Sequence, residues 1–384
     1  MKIIFKYLFE FVFLFILALI AISYRFRKKK YDVGLGPDPL INNIYHKKAL
    51  NLYDYSSITF VKNSFYITNE FDVDVNIKFK KFKFLKNILG YIYLCIKVFN
   101  FKVIYINFNG GPIGLKSNFL WKIEPLLYKI SRTKTLLLPY GSDVQDLTRS
   151  NNLEFKDAYA LDYPNHKFRR KIISKKIDLW TKYSDHIMGG CEWVDYLHHW
   201  DSLTLSHFSY DIPQKTNSII IKENKNFKVL HAPNHRNIKG TDFLIKAIED
   251  LKKEGFLIEL KLIEKKSNQE VIKLINQVDL VADQFIVGWY AMFAIEAMAH
   301  SKPVMGYLRD DLISFYHNKD LIEKDEIPIL NTNIGNIKQK LRWCLENKDE
   351  LKKISDQSYN FVKKHHSLEY IGSLFDKINK DLGV

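Results

Sequence analysis

Residues 229–247 read VLHAPNHRNIKGTDFLIKA. With Phe227 and Lys228 the first of these make a β-prone run, FKVLHA. A polar, basic loop follows, and after Gly240 the apolar residues fall at helical spacing over 241–253. Arg236 and Lys239 therefore stand near a helix N-terminus, beyond the carboxyl end of a strand. A guanidinium, an ammonium and free backbone N–H groups in that place suit a diphosphate. The alternation continues C-terminally: strand 257–263, helix 268–276, strand 278–282, helix 291–299, strand 303–306, then about a hundred helix-rich residues.

Within that alternation, 279–306 (DLVADQFIVGWYAMFAIEAMAHSKPVMG) ends a strand in a loop holding Gly288, Trp289 and Tyr290. The next helix carries Glu296 among apolar residues, where an unpaired carboxylate is costly. It needs a partner. A ribose offers two hydroxyls to one carboxylate, as in dinucleotide sites; a neighbouring lysine is the plainer alternative.

The N-terminal half repeats the pattern. Strands are predicted at 31–36, 58–62, 102–108, 134–138 and 185–188, and helices at 42–52, 83–99, 115–130 and 166–182. Gly36-Pro37-Asp38-Pro39 and Asn109-Gly110-Gly111-Pro112 are turns. Gly141-Ser142-Asp143 reads as a loop with a helix N-cap. Strands alternating with helices mean parallel sheets covered on both faces. The polar stretch 211–226 divides the two blocks. The predicted class is α/β, with two Rossmann-like domains facing a cleft: 31–212, a linker at 213–226, and 227–384. In such sheets ligands lie beyond the carboxyl ends of the strands.

Residues 7–24 (YLFEFVFLFILALIAISY) form an 18-residue apolar run, about 27 Å as a helix, against a hydrocarbon thickness of roughly 30 Å. Its single charge, Glu10, lies near one end. Lys2 and Lys6 precede it; Arg25, Arg27, Lys28, Lys29 and Lys30 follow. The run is read as a membrane anchor, 1–30, spanning or embedded in one leaflet. The heavier basic flank puts the rest of the chain on the cytoplasmic side. Ala21-Ile22-Ser23 resembles a signal-peptide cleavage site, but five cations directly after it argue against export.

The length of 384 residues accommodates two domains, and the 47% hydrophobic content is that of a globular chain. The net charge of +15 points to an anionic partner, phosphate or membrane surface. Three separated cysteines (Cys95, Cys191, Cys344) match no zinc spacing and no disulfide framework, which suits a reducing compartment.

The run KGTDFLIKAIEDLKKEG (239–255), followed by DQFIVGWYAMFAIEAMAHSKPV (283–304), resembles the donor-binding half of GT-B glycosyltransferases of the retaining kind. The likeness lies in order and spacing: basic loop, Lys-Gly, helix, strand, helix, strand, a Glu-Ala-Met-Ala helix and Lys-Pro-Val. It is close over 227–310. Tyr140-Gly141-Ser142-Asp143 resembles a Gly-Ser-Asp loop of the same enzymes. The resemblance implies that Arg236 and Lys239 hold the donor diphosphate and stabilise the leaving charge. It implies that Glu296 binds the ribose, and that Gly288, Trp289 and Tyr290 present backbone N–H groups to sugar or diphosphate. Asp143 and the turn 36–43, with Gly36, Asn42 and Tyr140, face the cleft from the acceptor side. Asp143, Arg236 and Lys239 are the implied catalytic set. Two positions depart from the family pattern: Gly288 stands where a second glutamate touches the donor sugar, and Tyr140 where a histidine is frequent.

The implied partners are a nucleotide-diphosphate sugar, a glycan or lipid-linked acceptor, and a membrane. No metal or cofactor is expected, and no nucleic acid. Asp72-Val73-Asp74 matches an Asp-x-Asp metal motif, but in FDVDV it reads as the exposed face of an edge strand. His198-His199 and His365-His366 read as surface pairs. Three alternatives stand beside glycosyl transfer. They are a nucleotide-sugar-binding protein without turnover, a GT-B-fold epimerase that needs no anchor, and last, a tethered nucleic-acid binder, for which no basic-aromatic platform is present.

Overall fold

The computed structural model describes residues 2–65, 67–82, 85–115, 117–215 and 226–384, with side chains from residue 6 onward. The first half is a seven-stranded sheet: β1 (Tyr31–Leu35), β2 (Ser57–Val61), β3 (Val73–Asp74), β4 (Phe101–Ile106), β5 (Lys134–Leu137), β6 (His186–Gly189) and β7 (Ser202–Leu203). Their order is β3-β2-β1-β4-β5-β6-β7. The second is a five-stranded sheet of β8 (Phe227–His231), β9 (Ile258–Leu262), β10 (Leu280–Ala282), β11 (Val304–Gly306) and β12 (Ile329–Asn331), ordered β12-β11-β10-β8-β9. Each strand pairing within the two sheets is parallel. This follows from the composition of the central strands. In FKVIYI of β4 five of six side chains are buried, because helices cover both faces.

Among the described residues, seven α-helices belong to the first half: α1 (Lys2–Arg25), α2 (Asn42–Asn51), α3 (Val75–Lys78), α4 (Lys86–Lys97), α5 (Leu120–Ser131), α6 (Leu153–Asp162) and α7 (Arg170–Tyr183). The second half opens with α8 (Arg236–Lys239), α9 (Thr241–Lys253), α10 (Asn268–Ile275) and α11 (Met292–Ala299). It continues with α12 (Asp310–His317), α13 (Ile337–Glu346), α14 (Lys348–His365) and α15 (Leu368–Asp381). In α9, Leu244, Ala247, Ile248 and Leu251 form one buried stripe at i, i+3, i+4, i+7. The final helix leaves the second half. Ile371, Phe375 and Ile378 of α15 join the core of Val33, Leu35 and Val103 in the first sheet, and the Tyr105 hydroxyl donates to Asn379 Oδ1 at 3.0 Å. The assignment of all of 227–384 to the second domain therefore loses this element.

Strand order reverses once in each sheet, between β1 and β4 and between β8 and β10. At such a point neighbouring crossovers leave on opposite faces and open a crevice beyond the carboxyl ends. The candidate residues lie at these two points.

Several local expectations are corrected. The helix predicted at 115–130 begins at Leu120, where the Glu10 carboxylate accepts from the N–H groups of Asn118 and Phe119. No helix follows Asp143; the next is α6, capped by the Asn152 side chain. Helix 166–182 is a single 3₁₀ turn and then α7, from Arg170. Asp74 is not on an exposed face: it is buried and caps α3 through the N–H groups of Asn76 and Ile77. His365 and His366 are no surface pair; both are buried, and His366 lies against Phe208. Most of the linker at 213–226 lies outside the described residues.

Candidate functional site

In the second sheet, β8 ends at His231. Its buried ring ties the Ala282 carbonyl at 2.8 Å to the Thr241 hydroxyl at 2.9 Å, fixing the ends of β8 and β10 and the start of α9 together. The single turn α8 follows, stopped by Gly240 at φ +71°, a conformation that favours glycine. Arg236 and Lys239 sit three residues apart on this turn and therefore on one face. Each is held by a carboxylate. Lys239 Nζ donates to Asp283 Oδ1 at 2.8 Å and Gln284 Oε1 at 3.1 Å. Arg236 makes a two-pronged pair with Glu264 at 2.9 and 3.1 Å. The Arg236 pair is largely exposed and screened by solvent, so an incoming anion displaces it at little cost. Asp283 Oδ2 is buried with no partner among the described residues.

Glu296 lies on the second turn of α11, 3% exposed, and accepts from Asn268 Nδ2 at 2.7 Å. Burial pushes its carboxyl up to about 8. It borders a 160 Å³ pocket with Asn234, Lys265, Lys266 and Phe293 of the second half and Ile41 of the first. A 640 Å³ chamber adjoins through Ile41 and Asn268 and continues between α2 and α10, past Tyr45, Lys48, Gln269 and Ile272.

Gly288, at φ +93°, leaves no room for the absent glutamate. A Cβ there would lie 2.6 Å from Arg309 Cγ and Cδ. Arg309 is fixed in turn by Asp311 at 3.0 Å and by Asp195 of the first half. The expectation for Trp289 and Tyr290 concerned their backbone N–H groups; the structure places their side chains elsewhere. Both side chains are buried between the halves: Trp289 Nε1 donates to the Leu205 carbonyl at 3.2 Å, and the Tyr290 hydroxyl meets His366 at 3.0 Å. Their apolar bulk seals the domain junction, so their side chains do not face a donor.

In the first sheet, the loops after β1, β4 and β5 converge. Asp38 Oδ2 accepts from Asn107 Nδ2 at 2.7 Å and Asn109 Nδ2 at 3.1 Å, and Asn109 also reaches the Tyr140 hydroxyl at 3.1 Å. Lys176 Nζ donates to the Asn109 carbonyl at 2.7 Å. Gly36 is required by close approach, since a Cβ would sit 2.0 Å from the Phe60 carbonyl oxygen. Asn42 turns into a small recess with His46, Asn107 and His207, inside the first half. Asp143 corrects the expectation of a cleft-facing catalytic carboxylate. It is 1% exposed and accepts from the N–H groups of Phe108, Tyr140 and Gly141 at 3.0–3.1 Å, which ties its own loop to the end of β4. Burial pushes it up to about 7.

The halves meet where Asp162 accepts from Asn237 Nδ2 at 2.8 Å and the Ile238 N–H at 2.9 Å, and where Tyr163 meets His235. Sequence reasoning missed Asp38, Asn107, Asn109, Asp162, Asn268 and Asp283. Asp283 was the most accessible of these, because it directly follows β10 at the switch point.

A pH dependence follows. Glu124 and Glu192 are pushed by burial up to about 7, beside Asp143 at about 7 and Glu296 at about 8. These folded-state values lie above the unfolded ones, so their contribution is complete below about pH 4 and is lost as pH rises through 7–8. Buried His46, His207, His231 and His366 are lowered by burial and act oppositely, but only below their unfolded value near 6.5. Between pH 6.5 and 8 the carboxylates act alone. The thermal midpoint is expected to fall across that window, and Glu296→Gln to shallow the fall; a flat profile contradicts this.

No protein-family model matches the chain, and no curated protein matches it. Solved structures do. A sucrose-phosphate synthase from Thermosynechococcus elongatus aligns over 92% of this chain and 99% of its own, at 12% identity and TM-score 0.54. A glycosyltransferase from Rickettsia africae aligns over 93% and 99%, at 14% identity and TM-score 0.54. The chain spans 56% of the length of the pneumococcal O-GlcNAc transferase GtfA, solved with UDP and GlcNAc, at 13% identity and TM-score 0.46 over 73% of this chain. Together with the two parallel sheets, the full-length likenesses establish the two-domain GT-B fold.

Proposed function

We propose that the chain transfers a sugar from a nucleotide-diphosphate sugar to a membrane-associated glycan or glycolipid, with retention, on the cytoplasmic face. The observation that carries this reading is the grouping of Lys239, Arg236 and buried Glu296 around the crevice where β8 and β10 meet. In the reading, the diphosphate takes Arg236 from Glu264 and shares Lys239 with Asp283. Glu296 exchanges Asn268 for the two ribose hydroxyls. The backbone of Gly288 to Tyr290 lines the sugar, and the acceptor enters from the loops bearing Gly36, Tyr140 and Asp38 through the larger chamber. As the glycosidic bond breaks, negative charge builds on the diphosphate, and the two cations stabilise it without metal or cofactor.

Replacing Lys239 by Ala is expected to lower kcat by about 10²–10³-fold, the usual cost of removing one such stabilising group. The assay follows release of nucleoside diphosphate and transfer of labelled sugar, with native membranes as the acceptor source. Gly288 and the Arg309 side chain packed against it favour one other reading, a nucleotide-sugar binder without turnover. Tight binding with no transfer by the parent chain decides for that reading.

A further inference from the structure

The apolar helix α1 is strapped lengthwise to the first half. Its 24 residues span about 36 Å. On its third turn, buried Glu10 accepts from Asn118 and Phe119 at 2.8–3.1 Å, at the N-terminus of α5. Just beyond its end, Lys29 Nζ donates to the Ser131 and Phe99 carbonyls at 2.6 and 2.8 Å, at the C-terminus of α5. Between these clamps Phe13, Leu17 and Ala21 form one buried stripe at helical spacing. An upright, free-standing span would strip Glu10 of its backbone donors and carry its carboxylate into hydrocarbon, which is expensive.

The opposite stripe faces outward. Leu8, Phe11, Val12, Phe15, Ile16 and Leu19 are each 45–68% exposed. The surface continues across a 250 Å³ apolar groove, shared by Phe9 of α1 with Ile88 and Leu94 of α4, to exposed Phe82 and Leu85. Its surround is basic. Among the described residues from Val75 to Ile123 there are seven lysines and no Asp or Glu, and Arg25, Arg27 and Lys28 follow the helix. Lys80, Lys81 and Lys122 are exposed.

We infer that α1 lies in the plane of one leaflet, its outer stripe and the α4 groove sunk among acyl chains and its lysines among anionic headgroups. The first half is thereby seated directly on the membrane, and no span is formed. An apolar ridge rimmed by cations is the signature of an interfacial helix on an anionic surface.

The test uses the full chain with single cysteines introduced at Leu8, Phe15 or Ile22 and labelled with a fluorophore; the native cysteines are buried. Vesicles of phosphatidylcholine and phosphatidylglycerol carry bromine at graded acyl depths. The inference expects all three labels to be quenched best by the same shallow bromine. It also expects binding to fall at least about tenfold on phosphatidylcholine alone, since each nearby Lys or Arg adds about 1 kcal/mol of attraction to an anionic surface. Phe11→Glu with Phe15→Glu is expected to release the chain into solution with its thermal midpoint unchanged. Deepest quenching at Phe15 with shallow Leu8 and Ile22 means a span and overturns the inference. So does a soluble dimer that covers the stripe, or equal binding to neutral vesicles.

Discussion

Replacing Trp289 by Ala is expected to cost about 3–5 kcal/mol of stability, the usual range for truncating a buried tryptophan. Its ring is fully buried, stacks on Tyr290 with centroids 5.3 Å apart and packs on Tyr316 at 4.8 Å. Its indole N–H holds the Leu205 carbonyl of the first half, so the variant also leaves a buried acceptor unpaired. Chemical denaturation measures the loss. Nucleotide affinity per folded molecule should change little, because the side chain lies in the junction and away from the Glu296 pocket. Unchanged stability with abolished binding would instead give the side chain a direct contact with the donor.

Replacing Glu296 by Gln is expected to weaken nucleotide binding by about 10–100-fold, since hydrogen bonds to a charged group are each worth about 1.5–3 kcal/mol. The fold should tolerate the change, because Asn268 can turn its amide to pair with the new side chain. A second signature is independent of affinity. Burial holds the unliganded Glu296 carboxyl near 8, so it is mostly protonated at pH 7. Two ribose hydroxyls donating to it favour the ionised form and lower that value. Binding at pH 7 should therefore release a proton from the parent chain and none from Glu296→Gln. Calorimetry in buffers of different ionisation enthalpy counts it.

Much of the fold was legible because its signals are local. The near-continuous apolar run of β4 and the buried stripe of α9 announce strand and helix by themselves. The missed elements are those whose reasons lie elsewhere in the chain. Strands β7 and β12 are two or three residues long and exist because a neighbouring edge is open. The start of α5 is set by Glu10, over a hundred residues away in sequence. In the site, Arg236, Lys239 and Glu296 were readable as charges placed against strand ends and apolar neighbours. The side chains of Trp289 and Tyr290 could not be placed from sequence, because a loop aromatic looks the same whether it lines a cleft or plugs a domain junction. Asp143 was misread because its three partners are backbone N–H groups, which no side-chain pattern reveals.

The central claim is that a nucleotide sugar binds where β8 and β10 meet, against Glu296. Thermal unfolding of the full chain with UDP, GDP, CMP and their sugars, beside Glu296→Gln, tests it most directly. The account expects one nucleotide family to stabilise the parent by about 2.7 kcal/mol at a hundred times its dissociation constant, and the variant far less. No shift with any nucleotide, or the same shift in both chains, would contradict it.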